Sequence, residues 1–275
     1  MITNHLIGYS GRLGNQMFQY ATLFAVGNKL NYSIGLPANN LNIKLDGTLD
    51  TSNNKWIPYK LDLFDCFDIT CKLLNDEECT KIDKIYKEPH FQFDPKIFNI
   101  SDNTNIDGYF QSDKYFSDIR LEILKEFKFK TEIENDVDNI LRNVIDKEIV
   151  SIHVRRGDYI NNPTLELLSI EYFIESISYF NDKDYNFLIF SDDIDWCKDI
   201  FSGEENIYFS EKNSQFVDLC LMSRCQHNII SNSTFSWWGA WLNTNPTKKI
   251  IAPSKWFKNP NTNTKDLIPE NWIRI

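Results

Sequence analysis

A chain of 275 residues with 42% hydrophobic and 25% charged residues is long enough to bury a sizeable core, in one large domain or two modest ones. Its formal net charge of −10 excludes nucleic acid as a partner, because phosphate backbones attract basic surfaces, and disfavours polybasic attachment to anionic lipid. No stretch reaches the roughly 20 apolar residues that span a bilayer, the opening Met1-Ile2-Thr3-Asn4-His5 lacks the pattern of a signal peptide, and six cysteines with no CxxC pair or zinc-like spacing read as quiet thiols of a reducing cytoplasm.

In chain order, His5 to Tyr9 reads as a strand that runs into a glycine turn, Gly11-Arg12-Leu13-Gly14. A helix follows, with Met17, Phe18, Ala21, Phe24 and Ala25 on one face. From about 40 to 110, Asn/Asp-rich stretches and scattered aromatics predict loops and short elements. The spacing of Phe116, Ile119, Ile123, Leu124 and Phe127 predicts a helix over 115–127. The polar stretch Thr131 to Lys147 holds an Ile140, Leu141, Val144 group that suits another.

After 148 the pattern becomes regular. Strands at Glu148 to Val154, Asn186 to Phe190, Asn206 to Phe209, Asn228 to Ser231 and Lys249 to Ala252 alternate with four helices. These helices bear Ile170 to Phe180, Trp196 and Ile200, Phe216 to Arg224, and Phe235 to Leu242. Near-continuous apolar strands alternating with helices indicate a doubly wound parallel sheet. Such sheets bind ligands outside the carboxyl ends of their strands.

The segment Ser151-Ile152-His153-Val154-Arg155-Arg156-Gly157-Asp158-Tyr159 leaves the end of one such strand. It carries two guanidiniums, an imidazole and a carboxylate, in the one adjacent arginine pair of the chain. Arginine presents a planar fork suited to phosphate oxygens and keeps its charge at any working pH. A surface Arg–Asp pair beside a strand end is the plainer account; the strand context and the lack of another basic cluster favour anion binding. Phe190-Ser191-Asp192-Asp193-Ile194-Asp195 ends a second strand, and its DxD pattern is too weak to assign a metal. Ile230-Ser231-Asn232-Ser233-Thr234 leads into a helix that Ser233 or Thr234 would cap, where hydroxyls and free amides make an anion site. The tryptophans 237, 238 and 241 that follow are expected to pack. Asp218 interrupts an apolar stretch. Gly11-Arg12-Leu13-Gly14-Asn15-Gln16 is not a Walker loop, since no GK[ST] follows; its glycines permit a sharp turn and close backbone approach.

His153-Val154-Arg155-Arg156-Gly157-Asp158 resembles the HxRRxD motif shared by α-1,2-, α-1,6- and protein O-fucosyltransferases. The GxxGNQxFQYA opening at 11–21 and the SNSTFSWWGAWL block at 231–242 resemble the α-1,2-fucosyltransferases, glycosyltransferase family 11 of bacterial type. Gly108-Tyr109-Phe110-Gln111-Ser112-Asp113-Lys114-Tyr115-Phe116 also looks familial, without an assigned role. The resemblance implies a GT-B-like α/β fold, two Rossmann-like halves facing each other across a cleft. Residues 1–147 would form the acceptor side and 148–275 the GDP-fucose-binding domain. It implies inverting transfer of L-fucose from GDP-β-L-fucose to the 2-hydroxyl of a terminal β-galactoside on an oligosaccharide or glycolipid.

By the same resemblance the donor site falls to Arg155, Arg156, Asp218, Asn232, Ser233 and Thr234, with Asp218 on the N1–H and amino group of guanine. From its position Asp158 is the first candidate for the base, with holding the arginine pair in place as its alternative, and His153 is the second; Asn15 would orient the acceptor, and Gly11, Gly14, Gln16 and Asp192 would line the cleft. Neither metal nor cofactor is expected, arginine taking the cation's role against the departing diphosphate. The setting implied is cytoplasmic, with peripheral attachment to the inner membrane left open. Two alternatives stand: a fucosyltransferase of another linkage, such as α-1,6, and a non-catalytic carbohydrate-binding protein.

Overall fold

The computed structural model describes residues 1–9, 11–38, 49–50, 55–56, 60–144 and 147–275. Their strands and helices gather into two units, Met1–Lys130 with Asn263–Pro269 and Thr131–Thr262 with Glu270–Ile275.

The first unit runs β1 (Ile2–Thr3), α1 (Leu13–Leu30), β2 (Ile34–Pro37), β3 (Leu49–Asp50), β4 (Lys55–Trp56), α2 (Leu63–Cys66), β5 (Lys72–Leu74), α3 (Asp76–Thr80), β6 (Lys84–Lys87), β7 (Thr104–Asp107) and α4 (Arg120–Glu126). Five strands form a parallel sheet in the order β5-β2-β1-β7-β6, while β3 and β4 pair antiparallel. Strand β1 lies at the centre of this sheet. Helix α1 is buried on nearly every side rather than on one face, taking Gln16, Gln19 and Thr22 inside with its apolar residues.

Two expectations change in this unit. The strand expected at His5 to Tyr9 lies earlier, at β1, because side chains take over the next backbone donors: Asn105 Oδ1 accepts from His5 N at 2.8 Å and Asn4 Oδ1 from Leu6 N at 3.0 Å. The chain then turns, with Gly8 at φ 84°. The helix expected over 115–127 is broken into 3-10 turns at Asp113–Tyr115 and Ser117–Ile119 before α4, since Phe116 takes a non-helical φ of −143°. The region read as loops and short elements supplies the short strands β5, β6 and β7; its residues 40–48, 51–54 and 57–59 lie outside the described residues.

The second unit runs α5 (Thr131–Val144), β8 (Ile149–Val154), α6 (Ile170–Ser178), β9 (Asn186–Ser191), α7 (Ile194–Ile200), β10 (Ile207–Phe209), α8 (Gln215–Arg224), β11 (His227–Ile229), α9 (Thr234–Leu242), β12 (Ile250–Ala252) and β13 (Ile273–Arg274). The sheet is parallel throughout, in the order β10-β9-β8-β11-β12-β13. This is the third, second, first, fourth, fifth and sixth strand in chain order, the dinucleotide-binding arrangement whose switch point lies between β8 and β11. All six residues of β8 are buried, and Val150, Ile152, Val154, Ile189, Ile229 and Phe173 build the core around it. Trp237, Trp238 and Trp241 pack on one another and on Trp272, as expected of core residues.

Both units are parallel-sheet α/β, the GT-B-like class that the resemblance implied. The boundary expected at 147/148 falls instead at 130/131. Helix α5 starts at Thr131 and packs on α8, where Asp138 pairs with Arg224 at 3.1 Å. Residues Asn263–Pro269 return to the first unit, Asp266 accepting from Lys114 Nζ at 2.7 Å and Phe93 N at 3.2 Å. Strand β13 was not anticipated; two exposed residues leave no pattern to read. Among the described residues, no helix is long and apolar enough to cross a membrane. All six cysteines are free, four of them buried.

Candidate functional site

In the second unit the paired register of β8 and β9 ends at Val154 and Ser191, so the residues that follow each strand emerge side by side. Arg155 and Arg156 leave β8, and Asp192 and Asp193 leave β9. Arg155 Nη2 meets Asp158 Oδ1 at 2.6 Å and Nη1 meets Asp192 Oδ2 at 3.2 Å. The other oxygen of Asp192 accepts the backbone N–H of Arg156 at 2.9 Å. Arg156 Nε meets Asp193 Oδ2 at 3.1 Å, and its guanidinium lies 3.8 Å over the ring of Trp196. Gly157 is dictated by this crossing, since a Cβ there would stand 2.5 Å from Asp192 Oδ2. Both guanidiniums are largely covered, whereas the Asp158 side chain is 51% exposed.

Across the switch point, His153 Nδ1 lies 2.7 Å from Ser231 Oγ, which joins the end of β8 to the exit of β11. Burial, with the charge of Arg155 adding to it, pushes the imidazole down to about 3, so it is neutral at physiological pH. Asn232 is buried, and its amide donates to the carbonyls of Glu166 and Trp256, both at 2.8 Å. Tyr159 Oη donates to the Asn232 carbonyl at 3.1 Å. Asn232 therefore holds the turn in shape, and its own Oδ1 is buried without a partner in this structure. Ser233 occupies the cap position of α9 as expected, but its hydroxyl makes no capping bond; Ser236 Oγ donates to its carbonyl at 3.2 Å instead. Thr234 is the first, half-buried residue of that helix.

Asp218 sits in the first turn of α8, beside the end of β10. Its Oδ1 accepts from Ser210 Oγ at 2.6 Å, and Ser210 Oγ accepts from Asn213 Nδ2 at 2.9 Å. Burial pushes this carboxyl up to about 6, opposed by the bonds from Ser210 and Asn213. Ser210 and Asn213 also line a cavity of about 270 Å³ with Leu188, Tyr208 and Phe209.

The first unit carries the remaining predicted residues, in the turn after β1 and the first turn of α1. Gly11 takes φ +107° and leaves no room for a Cβ against Asn15. Gly14 is buried in the first turn of α1. Asn15 is half-buried, and its Oδ1 accepts from Gln111 Nε2 at 2.8 Å. Gln16 does not line a cleft. It is fully buried, donating to the carbonyls of Gly11 (3.2 Å) and Lys60 (2.7 Å) and accepting from Asp62 N (2.9 Å). Gln19 donates to the Gly108 carbonyl at 3.1 Å. The Glu88 carboxylate accepts from the backbone of Tyr109 at 2.8 Å and of Phe110 at 3.1 Å, with Phe110 at φ 52°.

The structure thus gathers His153, Arg155, Arg156, Asp158, Asp192 and the 231–234 turn at strand ends of one sheet, with Asp218 in the same unit; Asn15, Gly11, Gly14 and Gln16 belong to the other. Sequence reasoning missed Ser231 as the partner of His153, Asp193 and Trp196 as the supports of Arg156, and Ser210 and Asn213 on Asp218. Asp193 was signalled by its place beside Asp192 at a strand exit; the others had no local signal.

A family model described as Glycosyl transferase family 11 matches residues 2–275. The chain is 35% identical to an α-1,2-colitosyltransferase of Escherichia coli, over 97% of both chains. It is 31% identical to the O-antigen biosynthesis glycosyltransferase WbnK of Escherichia coli, over 97% of this chain and 98% of that one. With galactoside 2-α-L-fucosyltransferase SEC1 of Bos taurus it shares 27% identity, over 86% of this chain and 63% of the relative. In fold it resembles the NodZ α-1,6-fucosyltransferase co-crystallised with GDP, at a TM-score of 0.55 and 12% identity, over 86% of this chain and 90% of that one.

Proposed function

The chain belongs to glycosyl transferase family 11, and from that premise we propose that it transfers L-fucose from GDP-β-L-fucose, with inversion, to the 2-hydroxyl of a terminal β-galactoside. The observation that carries this reading is the Arg155–Arg156 pair at the switch point of a dinucleotide-type sheet, where the ligand of such a sheet binds. Guanidiniums held there match the two phosphates of a nucleoside diphosphate and meet the charge that grows on it as the sugar leaves. They take the place of a metal ion, and neither metal nor organic cofactor is required.

Asp218 accepts the N1–H and amino protons of guanine, and Ser233 and Thr234 at the start of α9 offer further donors to the phosphates. Asn232 serves that site by fixing the turn rather than by direct contact. Asp158 takes the proton of the attacking hydroxyl. Buried and pushed down to about 3, His153 is too weak a base for that step, and its neutral ring instead ties Ser231 to the strand end. Asn15, Gly11 and Gly14 in the first unit serve the acceptor, an O-antigen-type glycan met on the cytoplasmic face of the inner membrane.

A second reading, transfer of colitose, is favoured by the identity to the colitosyltransferase. Colitose is fucose without its 3-hydroxyl, so the two donors differ at one group. The test is incubation with GDP-fucose or GDP-colitose and a panel of β-galactosides, including lactose, in excess EDTA, with GDP release and product linkage measured. An α-1,2-fucosylated product establishes the reading. Turnover of GDP-colitose alone moves the donor, an α-1,6 product moves the linkage, and activity lost to EDTA removes the metal-free mechanism. No GDP release and no GDP binding sinks the donor site.

A further inference from the structure

Arg155 holds two carboxylates, and they are held very differently. Asp192 comes off the end of β9 and is 26% exposed; one oxygen is on Arg155 Nη1 and the other on the backbone N–H of Arg156, so it is fixed from two directions. Asp158 is 51% exposed, and Arg155 Nη2 is its one ion-pair partner among the described residues. The charges of the cluster also fail to suit an anion as they stand. Two guanidiniums, Arg155 and Arg156, against three carboxylates, Asp158, Asp192 and Asp193, give 2 − 3 = −1. A diphosphate that approached this arrangement unchanged would meet a net negative site and an arginine with both Nη groups already engaged.

The cheapest way to open the site is to release the carboxylate with one exposed bond. We infer that Asp158 is a placeholder on Arg155 which the donor's diphosphate displaces, while Asp192 is a fixed positioning residue that keeps the guanidinium aimed. The inference rests on the donor site proposed above and adds an order to it. The phosphate oxygens take Nη2 of Arg155, the arginine stays on Asp192, and the Asp158 carboxylate is free only once the donor is bound. A base unmasked in that way is available to the acceptor hydroxyl after donor binding and not before, which protects the free enzyme from an acceptor-first dead end.

The experiment is titration calorimetry of the full chain with GDP, on the wild type, Asp158→Asn and Asp192→Ala, with donor KM and kcat measured for each. Asp158→Asn removes the competitor and should bind GDP about 2–5-fold tighter, the value of an exposed ion pair, with a lower donor KM and a fallen kcat. Asp192→Ala removes the anchor and should bind GDP about tenfold more weakly. A purely structural role for either residue would not give shifts of opposite sign. Asp192→Asn, which keeps an oxygen for the Arg156 N–H, serves if the alanine variant fails to fold, and should also bind more weakly than wild type. If the wild type binds GDP and Asp158→Asn binds it equally or less well, the placeholder is overturned; if Asp192 variants bind as the wild type does, the anchor is overturned. A wild type that does not bind GDP would remove the donor reading itself, a result distinct from either.

Discussion

In each unit the strand that opens the sheet, β1 in the first and β8 in the second, lies inside it, and the two exits are finished in different chemistries. At the first, neutral amides turn inward: Gln16 and Gln19 bond to backbone carbonyls, and Asn15 is held by Gln111. At the second, charges meet charges, with two guanidiniums set among three half-exposed or exposed carboxylates. A parallel sheet supplies the exit, and the residue types placed there decide what it holds. Amides bonded to backbone hold the chain in shape, whereas charges with an exchangeable partner can hold an ion.

The comparison breaks most readily at Arg155. Arg155→Ala should lower transfer by about 10²–10³-fold with the far-UV circular dichroism unchanged; full activity would mean that the charged exit is not the donor site. At the first exit the effect should fall on stability instead. Gln16→Ala leaves two carbonyls and one N–H without their buried partner, and urea denaturation should show a loss of about 2–4 kcal/mol, with GDP affinity of the folded protein unchanged. A variant of undiminished stability but weakened GDP binding would erase the distinction between the exits.

Asp218 sharpens the comparison through pH. Guanine recognition needs the ionised carboxylate, so GDP affinity should fall about tenfold between pH 7 and 5, as the group protonates through about 6, and Asp218→Asn should flatten the profile. The stability linkage has the opposite sense. A carboxyl raised above its ordinary 3.8 binds more protons folded than unfolded, so its ionisation lowers stability as pH rises from about 4 to about 6. The smallest effect is expected at Gly157→Ala, whose Cβ would push Asp192 off its bonds and weaken GDP binding about 2–5-fold by calorimetry.

The second unit was legible because β8, β9 and β12 are largely apolar runs buried on both faces, and such runs announce themselves locally. The first sheet was not. Its strands are two to four residues long, and Lys-Ile-Tyr-Lys in β6 or Thr-Asn-Ile-Asp in β7 carry no strand pattern; tertiary pairing alone makes them strands. The arginine pair stood out because its charges are adjacent in sequence. The His153–Ser231 bond joins residues 78 positions apart, and no spacing rule reaches that far. Gln16 was misread for another reason: an amide at a helix start looks the same in sequence whether it faces a ligand or the backbone of its own loop.

The return of Asn263–Pro269 to the first unit has a bearing on how the chain is made. Asp266, buried against Lys114 and the Phe93 amide, is synthesised after nearly all of the second unit. On the ribosome the first unit therefore waits, lacking a buried carboxylate, until its neighbour has emerged. No single cut separates the two intact, since severing the chain at 130/131 strips the first unit of its last segment and leaves that segment embedded in the other fragment.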